Sequence, residues 1–215
     1  MSLPVILLGA GGHAKVVLDV LLLLNRKVLG VCDPQLASNG VSAWRSFPVL
    51  GADEEILNYS PSSIELANGV GSMPGSHLRR NLYKLFVKKG YRFTTLVHPT
   101  AVLGSGVSLG HGTQVMAGSI VQADCYIGDN TILNTAVRID HDGYIGQHAH
   151  LAPGAVACGG VVVEEGAHIG PGSILIQGIS VGVEAVVGAG TVVIRNVPSH
   201  HFQTGQPPRQ AKSII

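Results

Sequence analysis

Residues 101–142 read AVLGSG, VSLGHG, TQVMAG, SIVQAD, CYIGDN, TILNTA and VRIDHD, and the same six-residue pattern continues to residue 196. Sixteen consecutive hexapeptides fit this register without an insertion, and the third position is aliphatic in all of them. The sixth position is mostly Gly, Asn or Asp, which readily adopt the left-handed backbone conformation of tight corners. Neither a helix nor a single strand repeats every six residues. The pattern therefore predicts a coil of short strands with aliphatic side chains stacked inside.

The composition fits a repetitive β structure and argues against several classes of partner. Charged residues make up 13% and aromatic residues 5% of the chain, whereas hydrophobic residues reach 46% and glycine occurs 29 times. A net charge of +1 provides no basic surface, so nucleic acid is not an expected partner. The three cysteines lack metal-type spacing, and we expect no bound metal.

An apolar stretch near the N-terminus, residues 3–24, has the wrong character for a membrane segment. Several glycines, His13, Lys15 and Asp19 interrupt it, and no basic segment precedes it. No cleavage site of small residues follows it. Neither a signal peptide nor a membrane span is therefore expected, and the protein is predicted to be cytoplasmic.

The segment before the repeats alternates between strand and helix patterns. Strands are predicted at residues 4–8, 28–32, 49–52, 64–68 and 93–97, and helices at residues 14–24, 53–58 and 76–89. This order predicts one α/β unit of the Rossmann type, about half of a full dinucleotide fold. We therefore expect a Rossmann-like domain over residues 1–97 and a parallel β-helix with a C-terminal tail over residues 98–215.

The predicted turn between the first strand and the first helix reads GAGGHAK, residues 9–15. It satisfies G-x-G-x-x-A in the strand–turn–helix context of nucleotide-binding folds. Such glycines let backbone N–H groups approach a phosphate at a helix N-terminus. Asp33 follows the second strand, where an acid that binds ribose or base is expected. With one mononucleotide unit, a nucleotide sugar is favoured over NAD, and a tight turn without a ligand is the alternative interpretation.

One stretch of the repeats, residues 134–150, carries polar residues that the other repeats lack. Within it Asp140, His141 and Asp142 fall at or beside a corner of the predicted coil. Histidine, with an unperturbed pKa of about 6.5, suits general-base catalysis near neutral pH, as acyl transfer from a thioester requires. An adjacent carboxylate fixes the tautomer of the imidazole. The alternative interpretation is a solvated corner histidine.

These motifs together resemble the family of sialic acid O-acetyltransferases and bacillosamine-type nucleotide-aminosugar N-acetyltransferases. Its Gly-x-Gly-His-x-Lys motif near the N-terminus is matched, with one additional glycine in the turn, by Gly11, Gly12, His13 and Lys15. Its His-Asp/Glu pair and a second His nine residues after the first are matched by His141, Asp142 and His150. The resemblance covers almost the whole chain. It implies a left-handed triangular β-helix, a homotrimer, and acetyl-CoA bound between neighbouring prisms as the acyl donor.

The resemblance also implies roles for individual residues, with His141 as general base and Asp142 orienting its ring. Acetyl-CoA would be contacted by His150, Ala152, Gly154, Gly170, Gly172 and Pro207. Gly159 completes this cofactor-binding set, and a backbone N–H near Gly159 or Gly160 is a candidate donor to the oxyanion. The nucleotide part of the acceptor would be held by Gly11, Gly12, His13, Lys15, Asp33, Gly69 and Gly71. Near the C-terminus, Pro208 and Arg209 replace the Ala and Lys of the family's ending, which leaves that last contact open.

The first-choice activity is acetylation of the amino group of a UDP-linked 4-amino-4,6-dideoxy sugar. O-acetylation of a sialic acid-type sugar and N-acetylation of a GDP-linked amino sugar such as perosamine are the alternatives. Three other classes fit less well: a β-helix carbonic anhydrase, an NAD-dependent enzyme and a non-catalytic nucleotide sensor. The carbonic anhydrases have two zinc-binding histidines five residues apart, and no two histidines here have that spacing.

Overall fold

The computed structural model describes residues 2–205, which form an α/β domain followed by a three-walled parallel β-helix. The α/β domain consists of β1 (Val5–Leu8), α1 (Gly12–Leu23), β2 (Val28–Cys32), α2 (Pro34–Ser38), β3 (Ala43–Trp44), β4 (Phe47–Gly51), a 3-10 helix (Asp53–Asn58), β5 (Glu65–Asn68) and α3 (Leu78–Lys88). Its sheet has the order β3-β4-β2-β1-β5, and β3 runs antiparallel to β4 whereas the other pairs are parallel. One face packs against α1, and the other against α3 and the 3-10 helix.

Two predicted strands pair differently from the expectation. The strand expected at an edge, residues 49–52, belongs to β4, which is flanked by β2 and β3. The strand expected to end the α/β unit, residues 93–97, meets that expectation only at its start, where Phe93 forms a parallel bridge with Leu66 of β5. Its end forms β6 (Leu96–Val97). β6 pairs with the third strand of the β-helix, because its residues stand one coil of eighteen residues before their partners. The first coil therefore begins before the hexapeptide register does.

The hexapeptide repeats form sixteen two-residue strands, each at the second and third positions of one hexapeptide. They are β7 (Val102–Leu103), β8 (Ser108–Leu109), β9 (Gln114–Val115), β10 (Ile120–Val121), β11 (Tyr126–Ile127), β12 (Ile132–Leu133), β13 (Arg138–Ile139), β14 (Tyr144–Ile145), β15 (His150–Leu151), β16 (Val156–Ala157), β17 (Val162–Val163), β18 (His168–Ile169), β19 (Ile174–Leu175), β20 (Ser180–Val181), β21 (Val186–Val187) and β22 (Val192–Val193).

Every third strand stacks in parallel, which creates three walls. We call these the first wall (β7, β10, β13, β16, β19, β22), the second wall (β8, β11, β14, β17, β20) and the third wall. The third wall contains β6, β9, β12, β15, β18, β21 and a final strand, β23 (Phe202–Gln203). The predicted fold class, a Rossmann-like domain followed by a parallel β-helix, is confirmed. No helix within residues 2–205 is both long and apolar enough to cross a membrane.

Two inward positions of each hexapeptide fill the interior of the prism. The aliphatic third positions are buried from Val115 onward, and the small first positions are buried from Thr113 onward. Among the buried first positions, Thr113 and Thr131 each donate a hydrogen bond to a backbone carbonyl fifteen residues later. Every sixth residue from Gly106 to Gly190 has a positive φ, as expected for the corners. The six-residue register is thus confirmed in its buried positions and its corners.

The α/β domain packs along the third wall, on the side of the prism. Met116 of the β-helix is buried together with side chains of α1 and β1. Further along the same wall, Arg80 of α3 forms a salt bridge with Glu184, and His150 donates to the carbonyl of Ser72. The contact between the two parts therefore extends over several coils.

Candidate active site

His141 lies on an exposed corner between the first and second walls, directly after β13, and its side chain is 63% exposed. Its Nδ1 atom is 2.7 Å from Oδ2 of Asp142, and its backbone N–H donates to Oδ1 of Asp140 at 2.9 Å. Because a carboxylate only accepts hydrogen bonds, Nδ1 carries the proton and Nε2 keeps an open lone pair. The hydrogen bond to Asp142 raises the pKa of His141, and the charge of Asp140 adds to this effect. The corner therefore carries an oriented, accessible base.

Gly159 lies one coil beyond His141 and leaves room for its ring. A Cβ atom at this position would lie 2.8 Å from both Cε1 and Nε2 of His141, inside van der Waals distance. The observed ring position therefore requires glycine here. From the sequence, Gly159 was a candidate only through its backbone N–H, and its contact with the imidazole was missed because it joins different coils.

A groove of about 290 Å³ runs along the first wall beside the His141 corner. It is lined by Ile120, Gln122, Arg138, Ile139, Asp140, Val156, Ala157 and Cys158. None of these residues was predicted from the sequence to contact a ligand. The six-residue register could have identified them as one surface, because second and fourth positions eighteen residues apart stack on the outside of one wall. Cys158 at such a position is half-buried in the groove wall.

The glycine turn between β1 and α1 is open to solvent and held in place by Asp33. A Cβ atom at Gly11 or Gly12 would meet no atom within 4 Å, so ligand atoms have room here. The Asp33 carboxylate accepts from the backbone N–H of Ala10 at 2.9 Å and caps α2 by accepting from two of its amides. Asp33 thus has a structural role that the sequence did not predict, and ribose or base binding stays a prediction.

The second glycine turn faces the first and brings His13 against the third wall. A Cβ atom at Gly69 would lie 2.7 Å from the carbonyl oxygen of Leu8, so only glycine allows this approach. Gly71 lies beside His13, whose Nε2 donates to Oε1 of Gln114 at 2.7 Å. Lys15, the last residue of the motif, is exposed on α1.

His150 is buried on the third wall, where both of its ring nitrogens have partners within the chain. Nδ1 donates to the carbonyl of Ser72 at 3.1 Å, and Nε2 accepts from Nδ2 of Asn134 at 3.2 Å. His168 lies one coil further along the same wall and meets the ring of His150 edge to face, with ring centroids 4.8 Å apart. Burial lowers the pKa of His150 to about 3, so the ring is neutral. Its role at the acyl-CoA thioester stays a prediction.

The predicted site residues fall into separate groups on the prism. His141, Asp142 and Gly159 share the corner between the first and second walls. The glycine turns and His150 lie at the third wall, which is opposite this corner in a three-sided prism. The corner between the third and first walls carries Ala152, Gly154, Gly170 and Gly172. Pro207 lies outside the described residues. A single chain therefore does not bring the base to the glycine turns.

Acidification from pH 7 to pH 5 is expected to destabilise the fold through histidines buried at the third wall. Burial lowers the pKa to about 4 for His13 and His148 and to about 3 for His150. The unfolded chain therefore binds more protons below pH 6.5, and each histidine costs on the order of 1–2 kcal/mol at pH 5. The urea midpoint should fall over this range. His148→Asn, which suits the positive φ of this corner, should flatten the dependence; equal midpoints at both pH values would contradict the expectation.

Comparison with known proteins relates both parts of the chain to sugar acetyltransferases. Residues 4–85 match the family model described as the PglD N-terminal domain. The crystal structure of PerB from Caulobacter crescentus, in complex with CoA and GDP-perosamine, has a TM-score of 0.85 and 34% identity and covers 94% of each chain. The acetyltransferase domain of PglB from Neisseria gonorrhoeae FA1090, in complex with acetyl coenzyme A, has a TM-score of 0.88 and 28% identity, covering 96% of this chain and 98% of that one.

The likeness extends through both the α/β domain and the β-helix, and it agrees with the expected left-handed coil. WeeI from Acinetobacter baumannii AYE shares the fold, with a TM-score of 0.85 at 23% identity over 97% of this chain and 99% of that one. The family resemblance carried by the glycine turn, the His-Asp pair and the hexapeptide register is thereby confirmed. The chain belongs to the hexapeptide-repeat family of sugar acyltransferases, in which a PglD-like N-terminal domain precedes a left-handed β-helix.

Proposed function

We propose that this protein transfers the acetyl group of acetyl-CoA to the amino group of a nucleotide-linked sugar. The observation that carries the proposal is the geometry of His141, whose Nδ1 is held by Asp142 while Nε2 stays open. PerB, a relative crystallised with CoA and GDP-perosamine, supports an acceptor of this class.

In the proposed reaction, the amine attacks the thioester carbonyl and Nε2 of His141 accepts the amine proton. A carbon–nitrogen bond forms and the carbon–sulfur bond breaks, and the proton then passes from His141 to the departing CoA thiolate. Asp142 stabilises the imidazolium between these steps. The backbone N–H of Gly159 is proposed as a donor to the oxyanion.

Acetyl-CoA is proposed to lie along the first-wall groove, which leads to His141 and offers apolar surface for the pantetheine arm. Cys158 and Val156 would line this arm, and Arg138 is placed to meet a phosphate. The far side of the path would be formed by the corner residues Ala152, Gly154, Gly170 and Gly172 of a neighbouring chain, whose His150 would lie near the thioester and whose Pro207 would lie near the adenine.

The acceptor is proposed to bind to the α/β domain, within residues 1–97. Its diphosphate would lie over Gly11 and Gly12, which are open to solvent at the N-terminus of α1. The surrounding residues that complete this site in the proposal are His13, Lys15, Asp33, Gly69 and Gly71. The sugar would then extend toward the third wall and the base of a neighbouring chain.

A homotrimer is proposed because, within one chain, the proposed base and the proposed acceptor site lie on opposite sides of the prism. The His141 corner lies opposite the wall that carries the α/β domain. Threefold packing of prisms would place the corner of one chain against the third wall of the next. Each of the three active sites would then combine the acceptor turn of one chain with the base of its neighbour.

The nucleotide is proposed to be GDP or UDP. The Caulobacter crescentus relative, 34% identical, was crystallised with GDP-perosamine, and this observation favours a GDP-linked amino sugar. The sequence favoured UDP because a diphosphate explains the glycine turn, and a GDP-sugar satisfies the same argument. The assay therefore compares the two nucleotides directly.

Thiol release from acetyl-CoA should be rapid with a nucleoside-diphosphate amino sugar. The acceptors to compare are GDP-perosamine, UDP-4-amino-4,6-dideoxy-N-acetylglucosamine and CMP-sialic acid. One of the two amino sugars should react at least roughly 10²-fold faster than the sialic acid, because the site is proposed to recognise a diphosphate and an amine. Turnover with the sialic acid alone would replace N-acetylation by O-acetylation, and no turnover with any of the three would contradict the proposed acceptor class.

Gly159→Ala is expected to lower kcat by roughly 10- to 100-fold, because the new methyl group would displace the His141 ring. Steady-state thiol release measures this effect, and the KM of acetyl-CoA should change less than kcat. The matched control is Gly188→Ala, where the nearest atom to a Cβ would be the carbonyl oxygen of Gln203 at 3.5 Å. Equal kcat values for the two variants would remove Gly159 from the site.

A further inference from the structure

A buried arginine links the second glycine turn to the β-helix. One terminal nitrogen of Arg79, Nη1, donates to the carbonyl oxygens of Asn68 at 2.9 Å and Val70 at 2.8 Å. Its Nε and Nη2 both donate to the carbonyl of Asn130, a corner residue of the β-helix, at 3.4 Å. The side-chain amide of Asn68 also donates to Oδ1 of Asn130 at 3.3 Å. The guanidinium therefore bridges the end of β5 and the prism.

The same turn is held by two more residues, both of which belong to the third wall. Gln114 donates from Nε2 to the carbonyl of Asn68 at 2.8 Å, and His150 donates to the carbonyl of Ser72. With Arg79 on Val70, the carbonyls of residues 68, 70 and 72 all have donors outside the turn. The position of this turn is thus determined by the β-helix as well as by its own sheet.

The charge of Arg79 is not balanced by a carboxylate. The residue is only 4% exposed, and within residues 2–205 it takes part in no salt bridge. Burial lowers its pKa to about 9, which leaves it protonated at neutral pH. Its charge also contributes to the lowered pKa of His13, so its field reaches the residue that follows Gly12. A buried, unpaired cation is costly unless something in the functional state offsets it.

We propose that Arg79 is a positioning residue for the acceptor: it fixes the turn at residues 68–72 against the third wall, and its unpaired charge favours a bound diphosphate. The inference rests on the proposed function, because it requires a nucleoside diphosphate at the facing turn of Gly11 and Gly12. Arg79 acts through the turn and through its charge, and it is not proposed to touch the reacting atoms.

The test compares GDP and UDP with guanosine and uridine, titrated calorimetrically into the full chain. Arg79→Met should weaken binding of the preferred diphosphate by roughly tenfold, or about 1.4 kcal/mol, relative to its nucleoside. Arg79→Lys keeps the charge but loses the planar fork, so it should weaken diphosphate and nucleoside by similar factors and retain the preference. The matched control is Arg80→Met, which removes the same charge from the next residue, where it is paired with Glu184. The control should keep the preference for the diphosphate.

Several outcomes would overturn the inference. Equal weakening of diphosphate and nucleoside in Arg79→Met would show a purely structural role, and unchanged binding of both would show none. If Arg79→Met does not fold, Arg79→Lys decides: loss of the diphosphate preference while the charge is kept would contradict the proposal. If the unsubstituted chain binds neither GDP nor UDP, that result contradicts both the proposed function and this inference.

Discussion

Replacing His141 with alanine is expected to lower kcat by roughly 10²–10⁴-fold, with both KM values nearly unchanged. The variant removes the proposed base. It leaves the first-wall groove and the acceptor turn intact, because the side chain of His141 forms part of neither. Because His141 is exposed and contributes nothing to the buried core, its loss should not affect folding. Steady-state thiol release with the reactive amino sugar measures kcat, and size-exclusion chromatography verifies that the assembly is retained.

The matched control for this experiment is Asp142→Asn. Asparagine tolerates the positive φ of this corner, so the substitution changes the charge without straining the backbone. It should lower kcat less than His141→Ala does. Because the hydrogen bond to Asp142 raises the pKa of His141, its weakening should move the acid limb of the kcat profile to lower pH. Near-normal turnover by an intact His141→Ala assembly would show that another group is the base.

Two inactive variants are expected to restore activity when they assemble together. His141→Ala lacks the base but keeps the glycine turn. Gly11→Glu keeps the base but places a negative charge where the acceptor's diphosphate is proposed to bind. Glutamate fits the backbone there, because Gly11 has a φ of −75° and no atom lies within 4 Å of a Cβ. Mixed trimers should regain about a third of the wild-type activity, since each contains both variants and one of its three sites combines an intact turn with an intact base.

The measurement is thiol release by mixed assemblies purified through two different affinity tags. Each variant expressed alone should be nearly inactive, and mixing the two after separate assembly provides the control for subunit exchange. Absence of recovery in verified mixed assemblies would mean that each chain completes its own site, which would contradict the proposed trimeric arrangement. Recovery would establish that the base and the acceptor turn come from different chains.

The β-helix was predictable because its signal is repeated, whereas the boundary between the two parts was not. Each hexapeptide predicts the same inward and outward side-chain directions, so a wrong assignment in one repeat is corrected by the others. Residues 93–97, Phe-Thr-Thr-Leu-Val, lack that support and divide between the two sheets, since Phe93 bridges Leu66 of β5 whereas Leu96 and Val97 pair with β9. Only the spacing of eighteen residues between Leu96 and Gln114, applied backward from the repeats, would have revealed the correct partner.

In the candidate site, the His141–Asp142 pair could be predicted because the two residues are adjacent in sequence. The contacts that were missed join residues on different coils. Gly159 contacts the ring of His141 from a position eighteen residues later, and the first-wall groove joins three coils in the same way. Asp33 shows the opposite case. Its place after β2 suggested a ligand, but its carboxylate also caps α2 and holds the glycine turn.

The sequence by itself determined the coil, its inward and outward positions and the corner that bears His141, because a period of six repeated sixteen times places every side chain relative to the short strands. Only the tertiary structure decided which wall receives the α/β domain. That choice depends on single, non-periodic contacts between distant residues, such as Arg79 with Asn130 and His13 with Gln114. Because the domain packs on the wall opposite His141, the same contacts separate His141 from the glycine turns within one chain.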